Sequence, residues 1–208
     1  MARLIFLDND VILKLVACDL FWEAVASLEL SPADLWVLET AKHVFRKTRR
    51  VRKKYPEDIL DNAISIVESC TQIKRKDSLN EELQALEIDG IDTGERLLIA
   101  ATQKVEDFYL AMGDKQCLIA LASAPSLSEI RKRLSERVVC FEQLLKKSIN
   151  HQGFDDLLAK VLPGREYDGS LKAIFGSGGK ATQENVLQAL NGYIEDLRSQ
   201  TKDLLADI

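Results

Sequence analysis

Leu4-Ile5-Phe6-Leu7-Asp8-Asn9-Asp10 is the stretch on which the fold turns. Arg3 to Leu7 is short and almost wholly apolar, with no polar residue between Leu4 and Leu7. A half-exposed strand would alternate apolar with polar, so this run predicts a strand buried on both faces. Asp8-Asn9-Asp10 then carries a turn and helix-cap signal. The same unit returns at Phe108 to Gly113, closed by Asp114, and a third short buried strand is expected at Arg137 to Phe141.

Between these strands the apolar spacing is helical. Helices are expected over 11–28 with a break near Cys18-Asp19, over 40–54, from Glu57 to about Cys70, and over 80–86. Others are expected over 93–106, over 114–122 and over 126–135. Ser31-Pro32-Ala33-Asp34 is a helix start with proline at the first position, and helix competes with strand for Leu35 to Leu38. Thr71-Gln72-Ile73 reads as a short edge strand. Strand, helices, strand, helix, strand is the alternation of an α/β fold, a small parallel sheet flanked by helices.

After Glu142 the pattern is helical throughout, so 1–143 is expected as the sheet domain and 144–208 as a C-terminal helical extension. Gly176-Ser177-Gly178-Gly179 reads as a hinge; the Lys180-Ala181 that follows fails the Walker phosphate-loop pattern. Thr182 caps a last helix expected to reach Leu205, with an apolar face open to a partner or a second copy.

The chain has 208 residues, 46% of them apolar, enough for one substantial core. The first acid at Asp8 leaves too short an apolar stretch for a signal peptide or membrane span, so a cytoplasmic protein with no membrane partner is expected. Cys18, Cys70, Cys117 and Cys140 are scattered, with no Cys-x-x-Cys pair, which argues against a zinc site or a disulfide framework. His43 and His151 are too far apart to suggest catalysis.

Asp8, Glu95 and Asp114 are the candidate site. Open α/β sheets place their sites at the carboxyl ends of the strands, where Asp8 and Asp114 stand. Glu95, in the first turn of a helix, can face the same edge. Carboxylates bunched together repel and raise each other's pKa, and a hard cation with a preference for oxygen, Mg²⁺ or Mn²⁺, offsets that cost. Each acid also has a plain structural reading. Asp92-Thr93-Gly94-Glu95 fits a capping box, and Asp8 and Asp114 can cap the helices they precede.

LeuAspAsnAspValIleLeu, IleAspThrGlyGluArgLeuLeuIleAlaAla and GlyAspLysGlnCysLeu, in that order, resemble the PIN-like nuclease superfamily over roughly residues 3–143. The resemblance implies an acidic pocket that binds Mg²⁺ or Mn²⁺ and cleaves phosphodiesters, most often in RNA. Asp8 matches the family's first-strand aspartate, Glu95 its helix glutamate and Asp114 its later-strand aspartate. A fourth acid often follows the third; here Lys115-Gln116-Cys117-Leu118 follows instead. Asp10 or Asp92 is the candidate to fill that place, and Lys115 the candidate to contact a phosphate.

Charge is distributed unevenly. Lys42, Arg46, Lys47, Arg49, Arg50, Arg52, Lys53 and Lys54 form a run with no acid among them. Taking these eight from 28 basic residues leaves 20 against 33 acids, so one basic stripe sits on an acidic body. A phosphate backbone compensates such a stripe and makes binding salt-dependent. Arg46, Lys47, Arg49, Arg50, Arg52, Lys53 and Lys54 are accordingly the expected nucleic-acid contacts. Solvation, or docking on an acidic partner, is the plainer reading. Phe45 and Val51 are expected to face the core, and Tyr55 either packs there or stacks on a base.

Together these point to a metal-dependent RNA endonuclease. The alternative is a catalytically degenerate module of the same fold that binds nucleic acid or a partner. Either could be the toxin of a toxin–antitoxin or defence system, held off by a protein inhibitor.

Overall fold

The structure, a computed structural model, describes residues 3–74 and 80–208. Five strands, β1 (Leu4–Leu7), β2 (Leu35–Leu38), β3 (Thr71–Ile73), β4 (Phe108–Met112) and β5 (Val138–Cys140), form one parallel sheet in the order β3-β2-β1-β4-β5. The helices, in chain order, begin with α1 (Asn9–Ala17), α2 (Phe21–Ser27), α3 (Ala41–Lys47), α4 (Arg49–Lys54) and α5 (Glu57–Ser69). They continue with α6 (Asn80–Ala85), α7 (Thr93–Ala101), α8 (Lys115–Ser123) and α9 (Ser128–Leu134). Last come α10 (Phe141–Gln152), α11 (Phe154–Gly164), α12 (Gly169–Ile174) and α13 (Gln183–Thr201). The α/β class, with strands apolar on both sides, is what the opening stretch predicts.

The two-residue period of the strands divides the core. Ile5, Leu7, Val37, Ala111 and Val139 project into one apolar cluster, covered by α1, α2, α3, α5, α10, α11 and α12. Phe6, Leu38, Leu110, Met112, Val138 and Cys140 project into the other, covered by α7, α8 and α9. Leu144, Leu145, Leu157 and Val161, from the region after residue 143, lie in the same cluster as Ile5 and Leu7.

Helix α13 runs between the two layers. Val186 and Leu190 are buried in the first cluster, Ile194 and Leu197 in the second. Its apolar face is therefore covered by the chain itself, which corrects the expectation of an open docking face. The helix also stops at Thr201, short of Leu205. The Thr201 hydroxyl donates to the Leu197 carbonyl at 2.7 Å, and Lys202 takes a positive φ of 58°. The tail then lies along β5, where the Val138 amide donates to Leu204 O at 2.9 Å and the Ala206 amide to Val138 O at 2.7 Å. The outer edge of β5 is thereby covered.

Other boundaries shift for local reasons. Leu35 to Leu38 is strand, because it pairs with β1 on one side and β3 on the other. The helix over 93–106 ends at Ala101, where the buried Thr102 hydroxyl donates to the Ile99 carbonyl at 2.7 Å and a 3₁₀ turn follows. The helix over 40–54 is two helices, parted at Thr48, which is extended (φ −74°, ψ 114°). Phe45 and Tyr55 anchor the two pieces in the core, and Val51 packs partly against it. The glycine run forms a 3₁₀ turn over 178–180, with Gly178 at φ 60° and the Arg165 guanidinium bound to the Phe175 carbonyl at 2.9 Å.

Candidate functional site

The strand order changes direction at the β1–β4 pair. From β1 the chain builds outward through β2 and β3; β4 and β5 lie on the other side. The helix after β1 packs on one face of the sheet and the helix after β4 on the other. Such a switch point leaves a crevice at the carboxyl ends of the two strands. A cavity of about 460 Å³ opens there, lined by Asp8, Asp10, Asp92, Glu95, Asp114 and Lys115 and also by Arg50, Lys54 and Tyr55 from α4 and its end. The N-terminal ends of α1 and α8 border it, and their partial positive charge favours anionic groups in it.

Asp8 is the first residue beyond β1 and stays in the ladder, its amide donating to the Ala111 carbonyl at 3.0 Å. Burial, then the charges of Asp10 and Asp92, push its carboxyl up to about 7; hydrogen bonds from the Asn9 and Gly113 amides pull the other way. Glu95 is only 5% exposed. Its carboxylate accepts the Asp92 amide at 2.7 Å, while Asp92 accepts the Glu95 amide at 2.8 Å. That reciprocal capping box fixes both acids at the start of α7. Burial again dominates, and with Asp92, Asp8 and Asp114 nearby it pushes Glu95 up to about 7, against the pull of the Asp92 amide. The buried Cys117 thiol hydrogen-bonds to Glu95 from α8, and burial together with that carboxylate keeps the thiol protonated. Asp114 caps α8 by accepting the Gln116 amide at 2.8 Å.

The remaining predicted residues sort into three groups. Asp10 reaches the cavity, but its carboxylate is paired with Lys14 at 2.7 Å, and Lys14 bonds Asp168 at 3.0 Å on its far side. Lys115 reaches the cavity as an ion pair with Glu142 at 3.2 Å, its ammonium 4.5 Å from the centre of the Tyr193 ring. Of the basic run, Arg50 and Lys54 line the cavity; Arg46 and Arg52 line a separate depression with Glu57 and Asp61. Lys42 and Arg46 pair with Glu68 of α5, and Lys47, Arg49 and Lys53 are exposed outside.

Glu142, which pairs with the cavity residue Lys115, is an acid that sequence reasoning missed. It stands two residues beyond β5, is 3% exposed, and touches the cavity through Lys115. Its signal was present: Val138-Val139-Cys140-Phe141-Glu142 repeats the apolar-strand-then-acid unit of Asp8 and Asp114. The Lys14–Asp168 pair was missed as well. Tyr55 is buried, its ring 5.4 Å from that of Tyr167, and its hydroxyl makes no hydrogen bond among the described residues. Its ring packs in the core and also borders the cavity.

Carboxylate oxygens on one cavity, two of them disfavoured as anions, are the donor type that Mg²⁺ and Mn²⁺ prefer. Asp8, Glu95 and Asp114 are the residues that could hold such an ion. As they are placed, no three Asp, Glu, His or Cys side chains among the described residues close into a ligand cluster. No helix among the described residues is long and apolar enough to cross a membrane. Comparison with protein-family models, with curated proteins and with solved structures found no match for this chain.

Proposed function

We propose that this chain is a PIN-like, Mg²⁺- or Mn²⁺-dependent nuclease of the cytoplasm that cleaves phosphodiesters, with RNA as its substrate. The observation that carries the reading is that Asp8, Glu95 and Asp114 line one cavity at the switch point of the sheet, and that Arg50 and Lys54 line it too. A phosphodiester bound to a divalent cation needs that pairing, anionic ligands behind the metal and cationic groups on the phosphate.

Asp8, Glu95 and Asp114 would hold the ion, which supplies acidification of the attacking water and charge neutralisation at phosphorus. Water adds to phosphorus, the bond to the leaving sugar oxygen breaks, and a proton passes to that oxygen, so one diester becomes a monoester and a hydroxyl. Without the ion, Asp8 and Glu95 share the cavity partly protonated at neutral pH, and occupancy would release those protons. Arg50 and Lys54 draw the strand to the cavity.

The capping bonds of Asp92, Glu95 and Asp114 favour the second reading, a module that binds nucleic acid but does not cut it. Digestion of mixed single-stranded RNA and DNA in Mn²⁺ by wild type and Asp114→Asn separates the two. The nuclease reading expects cleavage by wild type alone, with unchanged folding of the variant. Equal turnover by both proteins, or salt-sensitive binding with no turnover by wild type, sinks it.

A further inference from the structure

Lys47, Arg49, Arg50, Arg52, Lys53 and Lys54 make no ion pair among the described residues, whereas Lys42 and Arg46, earlier in the same run, pair with Glu68. Arg50 and Lys54 line the same cavity as Asp8, Glu95 and Asp114, and still no ion pair joins the two sets. Opposite charges that border one cavity without meeting leave room for a ligand that alternates them: a cation on the acids, a phosphate on the bases. Lys54 is steadied there, its ammonium 5.1 Å from the centre of the Tyr55 ring.

Helix geometry divides the remaining charge. Positions 50 and 54 lie one turn apart on one face of α4; positions 49 and 53 lie one turn apart on the next face, about 100° round. Only the first pair reaches the cavity, and the second is exposed outside it. The extended Thr48 ends α3 and starts α4, so the helical register of α3, which serves Glu68, does not carry on into α4.

We propose that Arg50 and Lys54 bind the phosphate inside the cavity, while Arg49 and Lys53 bind neighbouring phosphates of the same strand outside it. The ligand class is then a polynucleotide rather than a single phosphate ester. This rests on the nuclease reading for its chemistry, but the division of binding can be measured without turnover.

The test uses full-length wild type, Arg50→Gln/Lys54→Gln and Arg49→Gln/Lys53→Gln, each checked for an unchanged thermal midpoint. The probes are adenosine 5′-monophosphate in Mn²⁺ at low salt and a short single-stranded RNA without metal. Loss of the cavity pair is expected to weaken mononucleotide binding about 10-fold or more, and loss of the outer pair to leave it unchanged. Each pair should lower the salt slope of RNA binding by about 1.4, from about 0.7 per phosphate contact. If wild type cleaves, the cavity pair lowers kcat and the outer pair raises only KM. A wild type that cleaves nothing defeats the nuclease reading, and mononucleotide binding still decides the division. Equal losses of mononucleotide affinity in the two variants, or none in the cavity pair, overturn it.

Discussion

Asp8 and Asp168 are both enclosed aspartates beside α1, and the protein moves them in opposite directions. Burial disfavours each as an anion. At Asp168 the Lys14 ammonium, the Ser170 hydroxyl and the Leu171 amide outweigh burial and bring the carboxyl down to about 2. At Asp8 only two backbone amides oppose burial, while Asp10 and Asp92 add to it, and the carboxyl rises to about 7. The difference separates a structural staple from a stored repulsion. Lys14–Asp168 ties the segment before α12 to α1, whereas Asp8 keeps an unfavourable charge at the mouth of the sheet, where a cation could relieve it.

The comparison breaks most visibly at Lys14. Lys14→Met keeps the length of the side chain near the Phe141 ring but leaves Asp168 buried with no cation. Removing one member of a buried pair costs about 3–5 kcal/mol. Thermal melting should show a midpoint about 10 °C lower. Adding Asp168→Asn should return part of the loss, because the uncompensated charge is gone. A single variant as stable as wild type would mean that the pair is no staple at all.

How much of this was legible beforehand follows the range of the interactions. The strand ends were readable because four apolar residues followed by an acid are a local signal, as at Leu4 to Asp8. The capping box at Asp92 and Glu95 is equally local. Leu35 to Leu38 stayed ambiguous because its choice depends on β1 and β3, far away in the chain. The break at Thr48 was hidden because basic residues are good helix formers and the signal for stopping is a single threonine. Lys14 and Asp168 lie in segments that periodicity treats separately, and nothing local links them. Glu142 carries the same local signal, but it stands where the pattern turns helical, and its likeness to Asp8 and Asp114 went unused.

A smaller effect of opposite sign is expected at Asp8. Because its carboxyl titrates near 7 when folded and near 3.8 when unfolded, the folded state holds the extra proton between those values. Stability without metal is therefore greatest below about 4 and falls as pH rises through 7, the reverse of the usual paired aspartate. Asp8→Asn removes the charge but keeps only part of the hydrogen bonding from the Asn9 and Gly113 amides. Of the roughly 4 kcal/mol that the full rise represents, it should therefore return about half, about 2 kcal/mol at pH above 7, or about 4–8 °C. It should also flatten the pH dependence of the melting midpoint. Glu95, raised for the same reasons, would keep a residual slope. A destabilised Asp8→Asn would show that the carboxylate is satisfied as it stands.

The finest probe sits where the two regions touch. Asp10 faces both the cavity and Lys14, and Gly113 lies against it. A Cβ on Gly113 would fall 2.7 Å from Asp10 Oδ2, the atom that binds Lys14, and 3.3 Å from Asp10 Cβ. Gly113→Ala must therefore push the Asp10 carboxylate off Lys14, while Lys14 keeps Asp168 and the Gly113 amide keeps Asp8. The overlap is with the end of a side chain that can turn, so the cost should be about 1 kcal/mol, well below that of Lys14→Met. Melting of the two single variants and the double would show it. If Asp10 matters only through Lys14, Gly113→Ala should cost almost nothing once Lys14→Met is present. Full additivity would instead place the clash in the backbone, and the glycine would serve the turn into α8 rather than the acid beside it.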